Sequence, residues 1–513
     1  MTKKKRLPWL ESKRGGTPKA HPLQAILGDD NVVMGRAGRA AYSAAAMGDA
    51  QAQDAALPAL VVRPGSAEEV AAVVTHCAQH NLNIVPRGAG TSWVAGAAPD
   101  EADVVIALSR LTRIDAVDEA SLTISAEAGA RLADIDAAAA RHGLRLACDP
   151  ATRATATLGG ALANQAGGPG SLNDGGLGDQ VIAVNAVLAD GRLVTLGDGE
   201  LDAAGLDLIG LLAGSEGHLG IVTQAQLKLC ARPPGQAVLF AALPSLERAV
   251  KAAQAVLGSA LQPSMMMYAD RASLRALERH QSAGWPQNAA CAIAFIFDGA
   301  PAQLEAQIEA LKSLLRPLHA TITLPGAVSS SPMDPGGDGD RARSEAGEAP
   351  SDGGAQTLWH SWASAYRAFH DEGSVCFFET NVPLGALDDV VEQAKDICRA
   401  AGGQLAVMAH LGDGTLHGYV RYREEDLSVA VAVSEAVDQI VALAIEAGGA
   451  ISGEHGIGRR HRNAMHKQFS PAELDLMRAI KHAFDADGRL NRDKVLPPSR
   501  AKTARAGVGL ARP

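Results

Sequence analysis

The sequence predicts an α+β protein built from two units, and three observations carry that expectation. Over residues 56 to about 230, short β-branched runs and Ala-rich amphipathic stretches mix without strict alternation. A Pro233-Pro234 break then opens a second region, in which strands and helices recur to about residue 460. Finally, 513 residues with 47% hydrophobic and 20% charged side chains supply ample apolar material and exclude a disordered or fibrous chain. The expected limits are 1–55 for an N-terminal tail and helical lead-in, 56–233 for the first unit and 235–460 for the second. A closing segment at 461–497 and a loose basic tail at 498–513 follow.

In chain order, Val61-Val62-Arg63-Pro64 reads as a strand stopped by proline. Ser66-Ala67-Glu68-Glu69 is a capping box that starts a helix with Val70, Val73, Val74 and Cys77 on its apolar face. Strands are expected at 83–86, 103–108, 122–126 and 181–188, the last joined through Asp190-Gly191 to 192–194. Beyond Pro234 come strands at 237–242, 290–297 and 320–324, with helices at 245–257 and 302–315. A Gly/Asp/Ser/Pro-dominated stretch at about 326–356 reads as a disordered surface insertion. Ser470-Pro471-Ala472-Glu473 caps a last helix running to Phe484. There is no internal repeat.

Several functions are excluded early. A net charge of −10 with only 4% aromatic residues argues against a nucleic-acid partner. The six cysteines are scattered without a CxxC pair, which disfavours disulfide, zinc-ribbon and iron–sulfur readings and fits free thiols in a reducing cytoplasm. No apolar run reaches the roughly 18 residues of a transmembrane segment. Thr2-Lys3-Lys4-Lys5-Arg6 lacks the apolar segment of a secretory signal. The expected location is cytoplasmic, with peripheral attachment at an inner membrane as the alternative.

Three small-residue loops carry the first chemical signal. Pro86-Arg87-Gly88-Ala89-Gly90-Thr91-Ser92 follows a strand, and its glycines let backbone N–H groups approach a phosphate. Trp93 stands where a Rossmann fingerprint needs its third glycine, and no Gly-Lys-Ser/Thr follows to make a P-loop. Leu158 to Gly168 is the second loop, with Asp149-Pro150 ahead of it, and Gly214 to Val222 is the third. Three such loops in one unit suit a long diphosphate ligand threaded between backbones.

In motif order, residues 56–230 resemble the flavin-binding domain of the FAD-linked oxidases of the vanillyl-alcohol-oxidase type. The resemblance implies a two-subdomain FAD-binding domain, an α+β (ferredoxin-like) cap or substrate domain and a C-terminal helical segment. It implies FAD contacts from Pro86, Arg87, Gly88, Ala89, Gly90, Thr91 and Ser92. From the second loop it implies Asp149, Thr157, Gly159, Gly160, Ala163, Asn164, Gly167 and Gly168, and from the third Glu216, Gly217, Gly220, Ile221 and Val222. Many relatives attach the flavin through a histidine or cysteine near the first loop. None lies between Pro86 and Gly96, so the FAD is expected to be non-covalent.

The second signal lies late in the chain. Strands at 404–410 and 416–422 flank Asp413-Gly414, a hairpin signal that puts His410 and His417 at one hairpin mouth. Ser452-Gly453-Glu454-His455-Gly456 adds a carboxylate and a third imidazole. Two His and one carboxylate suit an open catalytic divalent metal, with zinc expected and iron or manganese as alternatives. These motifs resemble the C-terminal half of the D-lactate, D-2-hydroxyglutarate and glycolate dehydrogenases. The resemblance implies His410, His417 and Glu454 as metal ligands, His455 as catalytic base and Asn491, in the closing segment, near the flavin. Arg492-Asp493 stands where the family usually has Pro-Gly.

The expected activity is oxidation of a D-2-hydroxy acid to the 2-oxo acid. The metal would chelate hydroxyl and carboxylate, His455 would take the proton near its ordinary pKa, and the C2 hydrogen would leave as hydride to flavin N5. Electrons would pass to a quinone, a cytochrome or an electron-transfer flavoprotein, and a homodimer is one open state. Two rivals are a non-catalytic flavin-binding subunit of a larger dehydrogenase complex and a flavin-free metal hydrolase. The pattern departs from relatives where cations usually hold substrate carboxylates: Trp362 and Phe377 stand there, with Arg367, Arg421 and Arg423 as nearby substitutes. That departure disfavours a dicarboxylate and favours a less charged or more aromatic acid, unless both rings simply fill a core. His218, where many relatives have Thr, reads as a loop histidine without a chemical part.

Overall fold

The computed structural model describes residues 21–43, 56–197, 205–324, 354–423 and 427–498. The expected insertion at 326–356 lies outside the described residues except for its last three positions. The helix Ala355–Ala363 already begins there, two residues before the expected restart at Thr357. The basic N-terminus and all but the first residue of the 498–513 tail also lie outside the described residues.

The α+β expectation holds. In the first unit Leu60–Val62, Asp103–Ala107 and Asn83–Arg87 run parallel, and Val32–Val33 adds an antiparallel edge. Thus part of the expected lead-in is built into the sheet, and Leu23 and Leu27 are buried beneath it. A second sheet, antiparallel throughout, orders Thr123–Glu127, Ile221–Lys228, Val181–Val187 and Leu193–Leu196. Both sheets and the helix Ala67–Gln79 share one core, to which Val70, Val73, Val74 and Cys77 contribute. At that helix's start Ser66 Oγ accepts from the Glu69 N–H at 3.2 Å. The Glu69 carboxylate reaches one residue further back than a capping box requires, to the Gly65 N–H at 2.6 Å.

The second unit is one seven-stranded antiparallel sheet. Its order is Thr321–Thr323, Gln236–Leu243, Cys291–Asp298, Met265–Asp270, Gln404–His410, Thr415–Tyr422 and Ser374–Asn381. The first four strands have the split β-α-β arrangement of a ferredoxin-like unit, and the last three repeat its half around the helix Leu387–Ala400. Ile221–Lys228, Met265–Asp270 and Ser374–Asn381 were not expected from the sequence. The first begins in a glycine loop and the second in three consecutive methionines, so neither advertises the β-branched pattern that marks a strand.

Alternation gives that sheet two distinct faces. One buries Leu239, Tyr268, Ile293, Phe295 and Val407 beneath Leu246–Leu257 and Pro301–Leu315. The other buries Phe240, Met267, Met408, Phe377 and Tyr419 beneath Arg271–His280 and Ala355–Ala363. Only Leu427–Glu446, among the described helices, is long and apolar enough by length and composition to cross a membrane. Val433, Val437 and Ile440 pack it against Cys376, Phe378 and Val420 of the sheet, while Glu435, Asp438 and Glu446 are exposed.

The closing segment returns to the first unit. The Ile84 N–H donates to the Arg489 carbonyl at 2.9 Å, and the Asn491 N–H donates to the Ile84 carbonyl at 2.8 Å. The final helix, Pro471–Phe484, carries both halves of its Ser470/Glu473 capping box. Deeper in the first unit, Asp136 is fully buried, paired with Arg153 at 2.8 Å and Arg232 at 2.5 Å, and accepts from the Leu146 N–H at 2.8 Å. His218 is buried as well, and burial pushes its imidazole down to about 3.

Asp136→Ala strands two arginines and should cost about 3–5 kcal/mol in urea unfolding. For His218 the unfolded chain takes a proton more readily than the folded one. Its contribution is therefore complete above the ordinary value of 6.5 and is lost as pH falls towards 3. His218→Gln should flatten the decline of the urea midpoint over that interval, and an unaltered slope would refute the assignment.

Candidate active site

The first-unit loops Pro86–Ser92, Thr157–Gly167 and Ser215–Val222 open on one cleft of about 1240 Å³, its mouth included. All the sequence-nominated residues of the first loop line it, as do Thr157, Gly159, Gly160, Ala163, Asn164, Gly167, Glu216, Gly217, Gly220, Ile221 and Val222. The fit depends on missing side chains. A Cβ on Gly88 would run into the Thr157 hydroxyl and stand 3.4 Å from the Gly160 Cα. The Thr157 hydroxyl is itself buried and has no hydrogen-bond partner among the described residues.

Three nominated residues stand behind this wall. Gly168 packs on Asp149, whose carboxylate accepts from the Gly170 N–H at 3.3 Å and is pushed up to about 7 by burial. Asn491 spends its amide on the Gly96 and Glu216 carbonyls at 2.9 and 2.6 Å and accepts from Lys494 at 2.5 Å. It ties the closing segment to the third loop rather than lining the cleft.

At the other side of the cleft stand Glu454 and His455. Strand register explains what gathers there. His417 lies opposite Met408 and His410 opposite Thr415, so the two histidines are diagonal neighbours on one face, with Glu379 directly across from His417. The two Nε2 atoms are 3.3 Å apart, and His417 Nε2 is 3.4 Å from Glu454 Oε1. Ligand atoms of His410, His417 and Glu454 all lie within 4.8 Å of one another. His455 Nε2 is 3.5 Å from the same Glu454 oxygen. Burial lowers the pKa of His410 and His417 and raises that of Glu454. It also pushes His455 down to about 3, helped by His410. His455 is therefore unprotonated well below neutrality, rather than poised near its ordinary value as the sequence alone implies.

The loop carrying Glu454 and His455 is held from both sides by buried carboxylates. From the sheet, Glu379 accepts from Ser452 Oγ at 2.6 Å, the Gly453 N–H at 2.5 Å and the His455 N–H at 3.3 Å. From the third glycine loop, Glu216 accepts from the Ile457 and Gly458 N–H groups at 2.6 and 2.9 Å. Gly456 between them has φ +87°, and a Cβ there would lie 2.8 Å from Glu216 Oε1. Sequence reasoning missed Glu379. The available signal was a carboxylate directly after the apolar run Val375 to Phe378, in the same strand, a placement that demands partners.

The aromatic departures are both core and site. Trp362 and Phe377 are buried, with Trp362 5.6 Å from His410 and Phe377 5.3 Å from His455, ring centre to ring centre. The cations nominated as substitutes are elsewhere: Arg367 and Arg423 are exposed, and Arg421 pairs with Glu372 and Gln404.

Comparison with known proteins agrees with this layout. Residues 58–197 match the FAD binding domain, and 232–495 match the C-terminal domain of FAD linked oxidases. The glycolate oxidase subunit GlcD of Escherichia coli (strain K12) is 31% identical over 444 residues, 86% of this chain and 84% of that one. A D-lactate dehydrogenase of Archaeoglobus fulgidus is 28% identical, covering 85% and 91%. Among solved structures, p-cresol methylhydroxylase with substrate bound superposes with a TM-score of 0.73 over 92% of this chain and 95% of its own, at 16% identity. That likeness is one of fold.

Removing the loop's anchor tests its architecture. Glu379→Ala removes the charged acceptor of the Ser452 hydroxyl and the Gly453 N–H, at about 1.5–3 kcal/mol each, while the His455 N–H keeps Ser452 Oγ at 3.1 Å. Hydrogen exchange at the Gly453 and His455 amides should accelerate with it, and protection equal to the wild type would show that Glu379 does not hold the loop.

Proposed function

Because the chain belongs to the family of FAD-linked oxidases, as an oxidoreductase of the glycolate and D-lactate dehydrogenase type, we propose that it oxidises a D-2-hydroxy acid to the 2-oxo acid with a divalent metal and non-covalent FAD. One observation carries the reading. Two imidazole nitrogens and a carboxylate oxygen converge within 4.8 Å beside the cleft formed by the glycine loops.

The residues fit both groups. Two edges, of 3.3 and 3.4 Å, are close to the roughly 3.3 Å expected between ligands of a tetrahedral zinc at about 2.0–2.1 Å, and the third, from His410 to Glu454, is longer but within 4.8 Å. The donor set is short of positive charge: two imidazoles stay neutral, and the Glu454 acid is raised by burial and by Glu379, Asp413 and Asp149. The Thr157 hydroxyl, which has no hydrogen-bond partner among the described residues, and the Gly88 and Gly160 backbones offer a polar cradle that suits the flavin. When bound, FAD supplies the two-electron acceptor, and the ion supplies a Lewis acid for the hydroxyl and carboxylate of the substrate.

The chain's own residues orient the acid and manage its proton. His410, His417 and Glu454 would hold the ion, with the hairpin positioning the two histidines and Glu379 positioning the loop that carries Glu454. His455 Nε2, 3.5 Å from Glu454 and on the cleft wall, is placed to accept the hydroxyl proton. Loss of that proton and of the C2 hydrogen with its electron pair converts the alcohol carbon into a carbonyl. An external carrier such as a quinone, cytochrome or electron-transfer flavoprotein then takes the two electrons. The bacterial relative's name, a subunit, favours one second reading: a flavin-binding component that needs partner chains to turn over.

Anaerobic mixing with a panel of D-2-hydroxy acids should bleach the visible flavin absorbance, and chelator should slow the bleaching until zinc or manganese is restored. Bound FAD that no acid reduces would select the subunit reading, and a colourless protein would remove the flavoenzyme reading. His455→Ala should retain FAD and lose at least about 100-fold in bleaching rate. Undiminished bleaching would end the base assignment.

A further inference from the structure

We infer that the site selects a 2-hydroxy acid whose side chain is aromatic and carries no second carboxylate, received by Trp93 and Phe377 with Trp362 behind the histidines. This inference rests on the dehydrogenase reading and concerns which acid that reading admits.

The argument starts from scarcity. The chain has five Trp, five Tyr and eight Phe in 513 residues, yet aromatic rings crowd the histidines. Trp93 lines the cleft together with Glu454 and His455. Its ring centre is 4.9 Å from Phe377 and 4.7 Å from Tyr366. Phe377 in turn lies 5.3 Å from His455, 6.0 Å from His417 and 5.2 Å from Tyr419. Trp362 closes the rear, edge-on to His417 at 6.5 Å. These spacings are those of offset and edge-to-face ring contacts, which another ring can join.

Strand register makes the placement systematic. Phe377 pairs with Tyr419, and Glu379 pairs with His417 one step along the same face. The ring row and the ligand row are therefore neighbours on one rigid sheet. An acid held at the ligand row, with its hydroxyl towards His455, has Phe377 and Trp93 as the nearest walls for its C2 substituent.

The charges point the same way. Glu454 pairs with His417 and His455, and no lysine or arginine among the described residues pairs with it or with Glu379. Arg460, close to His455 in sequence, reaches Cys376 at 3.8 Å on the opposite face of the sheet. A distal carboxylate entering here would lose water and meet ring faces. An aryl group loses only apolar hydration and gains ring contacts.

The holoenzyme itself provides the test. Anaerobic bleaching is followed with D-mandelate, D-3-phenyllactate, glycolate, D-lactate and D-2-hydroxyglutarate. Phenylpyruvate and 2-oxoglutarate are titrated by tryptophan fluorescence as a readout independent of turnover. The aryl acids should give second-order rate constants at least about 100-fold above D-2-hydroxyglutarate and about 10-fold above D-lactate. Phenylpyruvate should bind at least about 10-fold more tightly than 2-oxoglutarate. Trp93→Ala and Phe377→Leu should retain FAD and erode the aryl preference about 10-fold. Fastest bleaching with glycolate, lactate or 2-hydroxyglutarate would overturn this inference and leave the dehydrogenase reading intact, whereas no bleaching by any acid would overturn both. Equal losses for all substrates in both variants would show that the rings only support the fold.

Discussion

The rest of the site depends on one constraint: a short loop is gripped from two sides by buried carboxylates that belong to different parts of the chain. Glu379 takes hydrogen bonds from Ser452, Gly453 and His455, and Glu216 takes them from Ile457 and Gly458. Both acids are buried, and the burial raises both pKa values. Such groups are tolerated inside a protein only when their oxygens are satisfied, so the loop and its anchors specify one another. The loop lies where the sheet of the second unit meets the glycine loops of the first, and fixing it fixes Glu454 and His455 against both.

A chain of small causes leads to that seam. Residues without side chains let three backbones approach one cleft, and the antiparallel sheet supplies a rigid face opposite. Two-residue alternation then aligns Glu379 and Phe377 with His417 and Tyr419, so a loop anchor, a ligand candidate and aromatic walls share a surface. The closing segment locks the arrangement from behind, through Lys494, Asn491 and the third-loop carbonyl of Glu216. Chemistry of the glycolate and D-lactate dehydrogenase type needs such stiffness, because orienting a bound acid depends on groups that do not relax away from it.

Legibility in the sequence followed the range of the interaction. The Ser66 and Ser470 helix starts, the apolar stripe at Val70, Val73, Val74 and Cys77, and the hairpin around Asp413-Gly414 were all readable, since each rests on neighbours within a few residues. The strand Met265–Asp270 was not, because its conformation comes from partners on either side that are distant in sequence. The burial of His455 and its proximity to His410, which lower its pKa, are likewise properties of the fold.

By itself the sequence determined the fold class, the three glycine loops and the identity of the late histidines and acid, because motif spacing and local pattern are written in consecutive residues. Tertiary structure alone decided that Glu379 anchors the 452–455 loop, that Asn491 stands behind the cleft, and that Trp362 and Phe377 are core rings packed against the late histidines. Those roles depend on strand pairing, burial and contact between segments far apart along the chain. No single stretch of residues encodes them, since a buried carboxylate or a ring acquires its role only from what is brought against it.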